Sequence, residues 1–325
     1  MSLRTRILRL GLVALLAWAF AAFYSLRLNP EILFYRGLSG IQKVWADRLR
    51  AATSSQFILI GGSSALFSVM PERAWGKDRV PLVNFGLAAE TQAQVMVLRG
   101  LEQAQAGDTL LVGMEPALLT GGGKPGGLGI QYAFAMAKPG WICDPQLEIP
   151  AMPWGSALLA LRPGGYHMVT LAGKILLRMP LYRYQLQEVS QGGWVRTGVR
   201  EFEDNAPGHG PKLSAWSVGM LRTLQQRANK RQVRLVYVLP WAFCPPSQAS
   251  KFRKENIQFL LQVEEFMPVL YDPRLGAIHD KSLFADSSWH LNLEGSRLRT
   301  DALAAQLRSL QMWERADLEK LMKGK

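Results

Sequence analysis

Two stretches far apart in the chain carry residue types that could act together. "FILIGGSSALFSV", Phe57 to Val69, is an apolar run that closes in two glycines and two serines, and "FADSSWHLNLEGSRLRT" places Asp286 four residues before His290. A serine hydroxyl becomes a nucleophile when a base takes its proton, and the base works best when a third group orients it. His290 suits the base, and Asp286 suits the carboxylate that accepts from the second imidazole nitrogen. Gly61 and Gly62 let the backbone turn sharply, so a serine just beyond them can be exposed with its own N–H pointing into the same space. The same residues also fit a plain turn into a helix with Ser63 or Ser64 as N-cap, and His290 also fits a solvated residue near a helix start. The first stretch alone does not choose between its serines.

The elements around these stretches predict how they are held. Phe57–Ile60, Leu82–Phe85, Thr109–Val112 and Arg234–Leu239 are short, β-rich apolar runs, and Val269–Tyr271 is a weaker fifth. Helical spacing runs through the segment after Asn29, through Thr91–Gln105, Leu213–Arg231 and Leu293–Leu310. Apolar strands alternating with amphipathic helices predict an α/β fold with a mostly parallel sheet covered on both faces. In such sheets ligands meet the loops at the carboxyl ends of strands, which is where Gly61–Ser64 falls.

The N-terminus carries Arg4, Arg6 and Arg9 ahead of the uncharged run Leu10–Leu26. At the helical rise that run spans about 25 Å, and Arg9 and Arg27 can snorkel at its ends. Residues 1–28 therefore read as a cytoplasmic tip and signal anchor, with residues 29–325 exported; cleavage near Ala19-Phe20-Ala21 is the competing reading. Net charge is +13, and 34 basic residues against 25 acidic ones remain once the four arginines before Glu31 are set aside. That surplus suits acidic glycans or a membrane surface; no zinc finger or arginine-rich tract points to nucleic acid. Cys143 and Cys244 would meet an oxidising compartment and could pair. His167, His209, His279 and His290 lack ligand spacing, so neither a metal nor any other cofactor is expected.

Residues from about 120 to 211 break the strand–helix rhythm. This insertion is expected to hold helices of its own and to act as a cap or partner surface; a second membrane span is opposed by Arg162, Pro163, Lys174 and Arg178. "TGGGKPGG" lacks the spacing of a phosphate-binding loop and reads as linker.

"GGSSALFSV", "VNFGL", "GDTLLVGMEP" and "DSSWHLNLEGSRLRT" together resemble the SGNH (GDSL-like) hydrolase superfamily, in particular its membrane-anchored branch that accompanies membrane-bound O-acyltransferases in O-acetylation of exported polysaccharides. The resemblance covers most of residues 55–120 and 230–310. It implies a three-layer α/β/α flavodoxin-like fold, with Ser63 rather than Ser64 as nucleophile, His290 as base, Asp286 as acid, and the N–H groups of Ser63 and Gly86 forming the oxyanion hole. Two departures stand out: three residues rather than two separate Asp286 from His290, and Glu115 occupies the strand end where the family carries an asparagine. Asn84 could substitute as a donor, although bonding to loop backbone suits it better. Trp241 and Trp289 could stack on a sugar face, although packing suits them better. The expected activity is acyl transfer, chiefly acetyl, from a membrane-bound O-acyltransferase through Ser63 to a polysaccharide hydroxyl in the periplasm or outside the cell. De-esterification by the same residues and a catalytically silent assembly or glycan-binding role are the alternatives.

Overall fold

A computed structural model describes residues 2–122, 125–144, 152–162 and 165–323. Gly123 and Lys124 of the expected linker lie outside the described residues. Helix α1 (Leu3–Phe23) runs through a π-helical turn (Tyr24–Leu28) towards α2 (Pro30–Ala52), which starts at the Asn29 cap. Leu3–Leu28 is long and apolar enough to cross a membrane, and most of it is exposed.

The central sheet is parallel and four-stranded, in the order β2-β1-β3-β4, with β1 Phe57–Ile60, β2 Leu82–Asn84, β3 Thr109–Val112 and β4 Arg234–Tyr237. Phe57 is in register with both Leu82 and Thr109, and Thr109 with Arg234. The expected fifth strand is reduced to a parallel bridge between Tyr237 and Val269 and an antiparallel one between Leu270 and Met312. Pro268 before it and Pro273 after it limit how far its backbone can pair. A separate parallel pair, β5 (Ala242–Phe243) and β6 (Ala277–Ile278), was not foreseen.

Helices follow the strands. These are α3 (Ser63–Ser68), α4 (Pro71–Asp78), α5 (Ala93–Gln103), then α6 (Pro116–Thr120). The insertion contributes α7 (Gly127–Ala135), α8 (Trp154–Leu159) and α9 (Gly165–Leu176). The chain closes with α10 (Ala215–Lys230), α11 (Ala249–Val263), α12 (Leu293–Ser309) and α13 (Arg315–Met322).

Alternate strand residues enter different apolar clusters, which explains the continuous apolar runs. Ile58, Ile60, Leu110 and Val112 pack with residues of α2, α5 and α10. Leu59, Leu111 and Val236 pack with Ala65, Ala74 and Leu303 from α3, α4 and α12. Truncating a fully buried member such as Leu111 to Ala costs about 2–5 kcal/mol. Below the sheet, Arg50 of α2 makes paired hydrogen bonds of 2.7 Å to the buried Asp108, whose carboxylate also accepts the N–H groups of Gln56 and Gln105. Cys143 and Cys244 are free thiols, so the anticipated pairing is not formed.

Candidate active site

The Gly-Gly-Ser-Ser turn sits at the carboxyl end of β1, and Ser63 is the first residue of α3. Close approach to backbone requires Gly61, whereas a side chain at Gly62 would have to displace the Glu115 carboxylate. A Cβ on Gly61 would collide with the Gly113 carbonyl oxygen, and one on Gly62 with the Glu115 carboxylate. Gly62 occupies the N-cap position and neither serine side chain caps the helix. The capping acceptor comes from another strand: Glu115 Oε1 takes the Ser64 N–H at 2.7 Å and lies 3.5 Å from Ser63 Oγ. Glu115 is buried, and among the described residues its Oε2 has no hydrogen-bond partner. Among the same residues the Ser63 N–H meets no acceptor, whereas that of Ser64 is committed to Glu115.

The loop after β2 departs from expectation. The Gly86 N–H is donated to Asn84 Oδ1 at 2.8 Å, so of the two N–H groups expected to face an oxyanion it is already engaged. The Asn84 amide is equally committed, to the carbonyls of Ala65 and Val69. The Gly86 carbonyl accepts from Gln42, and the fully buried Arg99 bonds both Gln42 and the Phe85 carbonyl. Burial pushes the Arg99 guanidinium below its ordinary value.

Asp286 and His290 lie side by side on the loop that enters α12. The Ala285 N–H bonds the His290 carbonyl, and a bridge joins Phe284 to Leu291. Across this turn His290 Nδ1 meets Asp286 Oδ1 at 2.7 Å, so the three-residue spacing still pairs them. The second carboxylate oxygen, Oδ2, accepts from Arg183 of the insertion. Burial raises the Asp286 pKa, but the bonds and charges of His290 and Arg183 outweigh it and hold the carboxyl below the usual aspartate range.

This loop is docked on the helix that carries Ser63. The His290 ring packs against Phe67, with centroids 4.5 Å apart, and Phe67 stands one helical turn beyond Ser63. Ser296 of α12 donates to the Phe67 carbonyl, as does the Trp194 indole from the insertion. No hydrogen bond joins Ser63 to His290; Ser63 Oγ bonds Glu115 instead. Beside Asp286 opens a cavity of about 170 Å³ lined by Arg183, Tyr184, Glu188, Arg196 and Arg200.

The tryptophans proposed as sugar platforms differ. Trp241 is buried, donates to Asp272 and has the guanidinium groups of Arg274 and Arg299 over its ring, which leaves no open face for a sugar. Trp289 is half-buried and packs against the cluster of Ala242, Cys244, Phe252 and Ala277. Sequence reasoning missed Arg183, Phe67 and Trp194. "PLYRYQL" has no fixed spacing to Asp286, so no pattern in the sequence announces Arg183.

A search of protein-family models, curated proteins and solved structures finds no match to the chain.

Proposed function

We propose that this chain is a membrane-tethered serine enzyme of SGNH type with a three-layer α/β/α domain, and that it moves an acyl group, chiefly acetyl, onto hydroxyls of an exported polysaccharide. One observation carries the reading: the Asp286–His290 pair packs on the short helix that begins with Ser63, whose N–H meets no acceptor among the described residues. In the reaction, Ser63 Oγ attacks the acyl carbonyl while His290 Nε2 takes its proton. The Nδ1–H stays on Asp286, which stabilises the imidazolium. The tetrahedral oxyanion faces the Ser63 N–H. As it collapses, the bond to the leaving group breaks and His290 returns the proton to that group. A sugar hydroxyl then attacks the acyl-serine by the same steps in reverse, and water in its place gives the esterase.

α1 is the tether, and the donor is a membrane-bound O-acyltransferase held nearby by effective concentration rather than a tight complex. The domain then lies on the periplasmic or extracellular side, with the arginine-bearing tip of α1 in the cytoplasm. In the cavity beside Asp286 the guanidinium groups of Arg183, Arg196 and Arg200 outnumber the carboxylates of Glu188 and Asp286 by one, which suits an anionic glycan as acceptor.

A second reading has specific support. Ser63 bonds a carboxylate rather than His290, and the Gly86 N–H is already used, which favours a catalytically silent component of a polysaccharide export complex. Treating the full chain in detergent with a fluorophosphonate probe separates them. An adduct on Ser63, lost in Ser63→Ala and strongly reduced in His290→Ala, is the result expected of the enzyme. A folded protein that forms no adduct is silent.

A further inference from the structure

Among the described residues α1 alone is long and apolar enough to cross a membrane, and it carries a second element with it. The Trp18 indole N–H donates to the Leu158 carbonyl in α8 at 3.2 Å. Ala22 of α1, Ala157 of α8 and Leu161 just beyond it are all buried in the main apolar cluster. The indole bond sets α8 beside α1 at the level of Trp18. Depth follows from the helical rise. Trp18 lies about 13 Å beyond Arg9, the last charge before the apolar run, measured along α1. The hydrocarbon layer is about 30 Å thick, so with Arg9 at one interface the α1–α8 contact lies well inside it.

The outward faces match that depth. Trp154, Leu158 and Leu159 of α8 are exposed, and so are Val169 (74%), Ile175 and Leu176 (83%) of α9. An apolar patch of this kind, left in water, marks an interaction surface. Its chemistry suits lipid. No acidic residue occurs between Glu148 and Glu188, whereas Arg162, Lys174 and Arg178 can reach anionic headgroups on their long stems. α8 has six residues and α9 twelve, too few for either to cross. A helix as short as α8 leaves backbone groups at its ends, and two of these find partners: the Leu158 carbonyl accepts from Trp18 and the Ala160 carbonyl from Gln131.

We propose that α8 and α9 form a monotopic element that enters the bilayer beside α1 from the side of α2 and reaches about its middle at Trp18, its apolar faces covered by phospholipid acyl chains. The element enters and returns without spanning. From α9 the chain runs through Tyr182, which bonds Tyr35 of α2, to Arg183 on Asp286, so the orienting carboxylate is held by a residue a few positions from the bilayer surface. An acyl donor carried in the membrane would reach this site without crossing open solvent. The proposal rests on α1 as a membrane span and is independent of whether Ser63 is reactive.

The test places the purified full chain in nanodiscs containing a phospholipid with a diazirine near the end of one acyl chain, followed by irradiation and peptide mapping. Adducts are expected in α1, in Trp154–Leu159 and in the α9 peptide, and the double variant Val169→Asp/Leu176→Asp should lose those in α9 while keeping those in α1. Adducts confined to α1 overturn the embedded element and leave the tether standing. Their absence from α1 as well overturns the tether itself. A segment that lipid does not label in nanodiscs, yet that crosslinks to a protein neighbour in native membranes, overturns the lipid assignment in favour of a protein partner.

Discussion

Arg183, in the insertion, donates to the Asp286 oxygen that His290 leaves free, so one carboxylate joins the cap to the imidazole. The pairing makes the insertion part of the site rather than an appendage to it. Charged hydrogen bonds of this kind also fix geometry, because the planar guanidinium tolerates few orientations.

Replacing Arg183 by Gln should therefore move an acid limit without removing the imidazole. The Asp286 carboxyl is held below its usual value, so its contribution to stability is complete above the unfolded-state pKa, near 3.9 for Asp, and is lost as pH falls through the lower folded-state value. In Arg183→Gln the folded value rises towards the unfolded one, and the loss begins at higher pH. Melting of the full chain followed from about pH 2 to 6 checks this, as does the acid limb of Ser63 acylation. Superimposable profiles would show that Arg183 does not tune the pair.

Glu115 offers a sharper discrimination between the enzymatic and silent readings. Its Oε1 caps α3 through the Ser64 N–H, so Glu115→Ala should cost about 1 kcal/mol as other lost caps do. Glu115→Gln keeps an oxygen acceptor for that N–H while removing the negative charge beside the Ser63 N–H. An oxyanion forming there would no longer face a carboxylate, so fluorophosphonate labelling of Ser63 should become faster in Glu115→Gln than in the natural chain. An unchanged rate would mean that the carboxylate does not restrain Ser63.

Far from the site, Asp108 anchors the lower edge of the sheet. Its side chain is inaccessible, and it satisfies Arg50 and two backbone N–H groups at once. Asp108→Ala strands the partly buried guanidinium and both N–H groups, a loss expected to cost about 3 kcal/mol or more. Chemical denaturation should register it, while the rate of Ser63 labelling in the folded fraction stays as it was.

What the sequence could announce followed local rules. β1 and β3 lie where their apolar runs end against glycine, and α12 starts at Leu293 because Asn292 caps it through the Glu294 and Gly295 N–H groups. Asp286 and His290 were legible as a pair because one turn brings them together. The partner of Ser63 was not, since Glu115 reaches it from a neighbouring strand and only the pairing of β1 with β3 makes them adjacent. Gly86 was misjudged for a related reason: the spacing of Asn84 and Gly86 gives no sign that the amide would turn back on the glycine N–H. Arg183 depends on the path of a long insertion, for which no periodicity exists to be read.

The helix that begins at Ser63 has six residues, fewer than hold a helix together in water. Each of its ends is secured by a residue far along the chain: Glu115 at the first turn, and Trp194 and Ser296 on the Phe67 carbonyl at the last. In the enzyme proposed above, a polypeptide that emerges amino-terminus first carries an unassembled nucleophile for almost its whole length. Until Ser296 has followed, the serine has neither a finished helix nor an imidazole beside it, and on that reading the hydroxyl stays unactivated while the chain is unfinished.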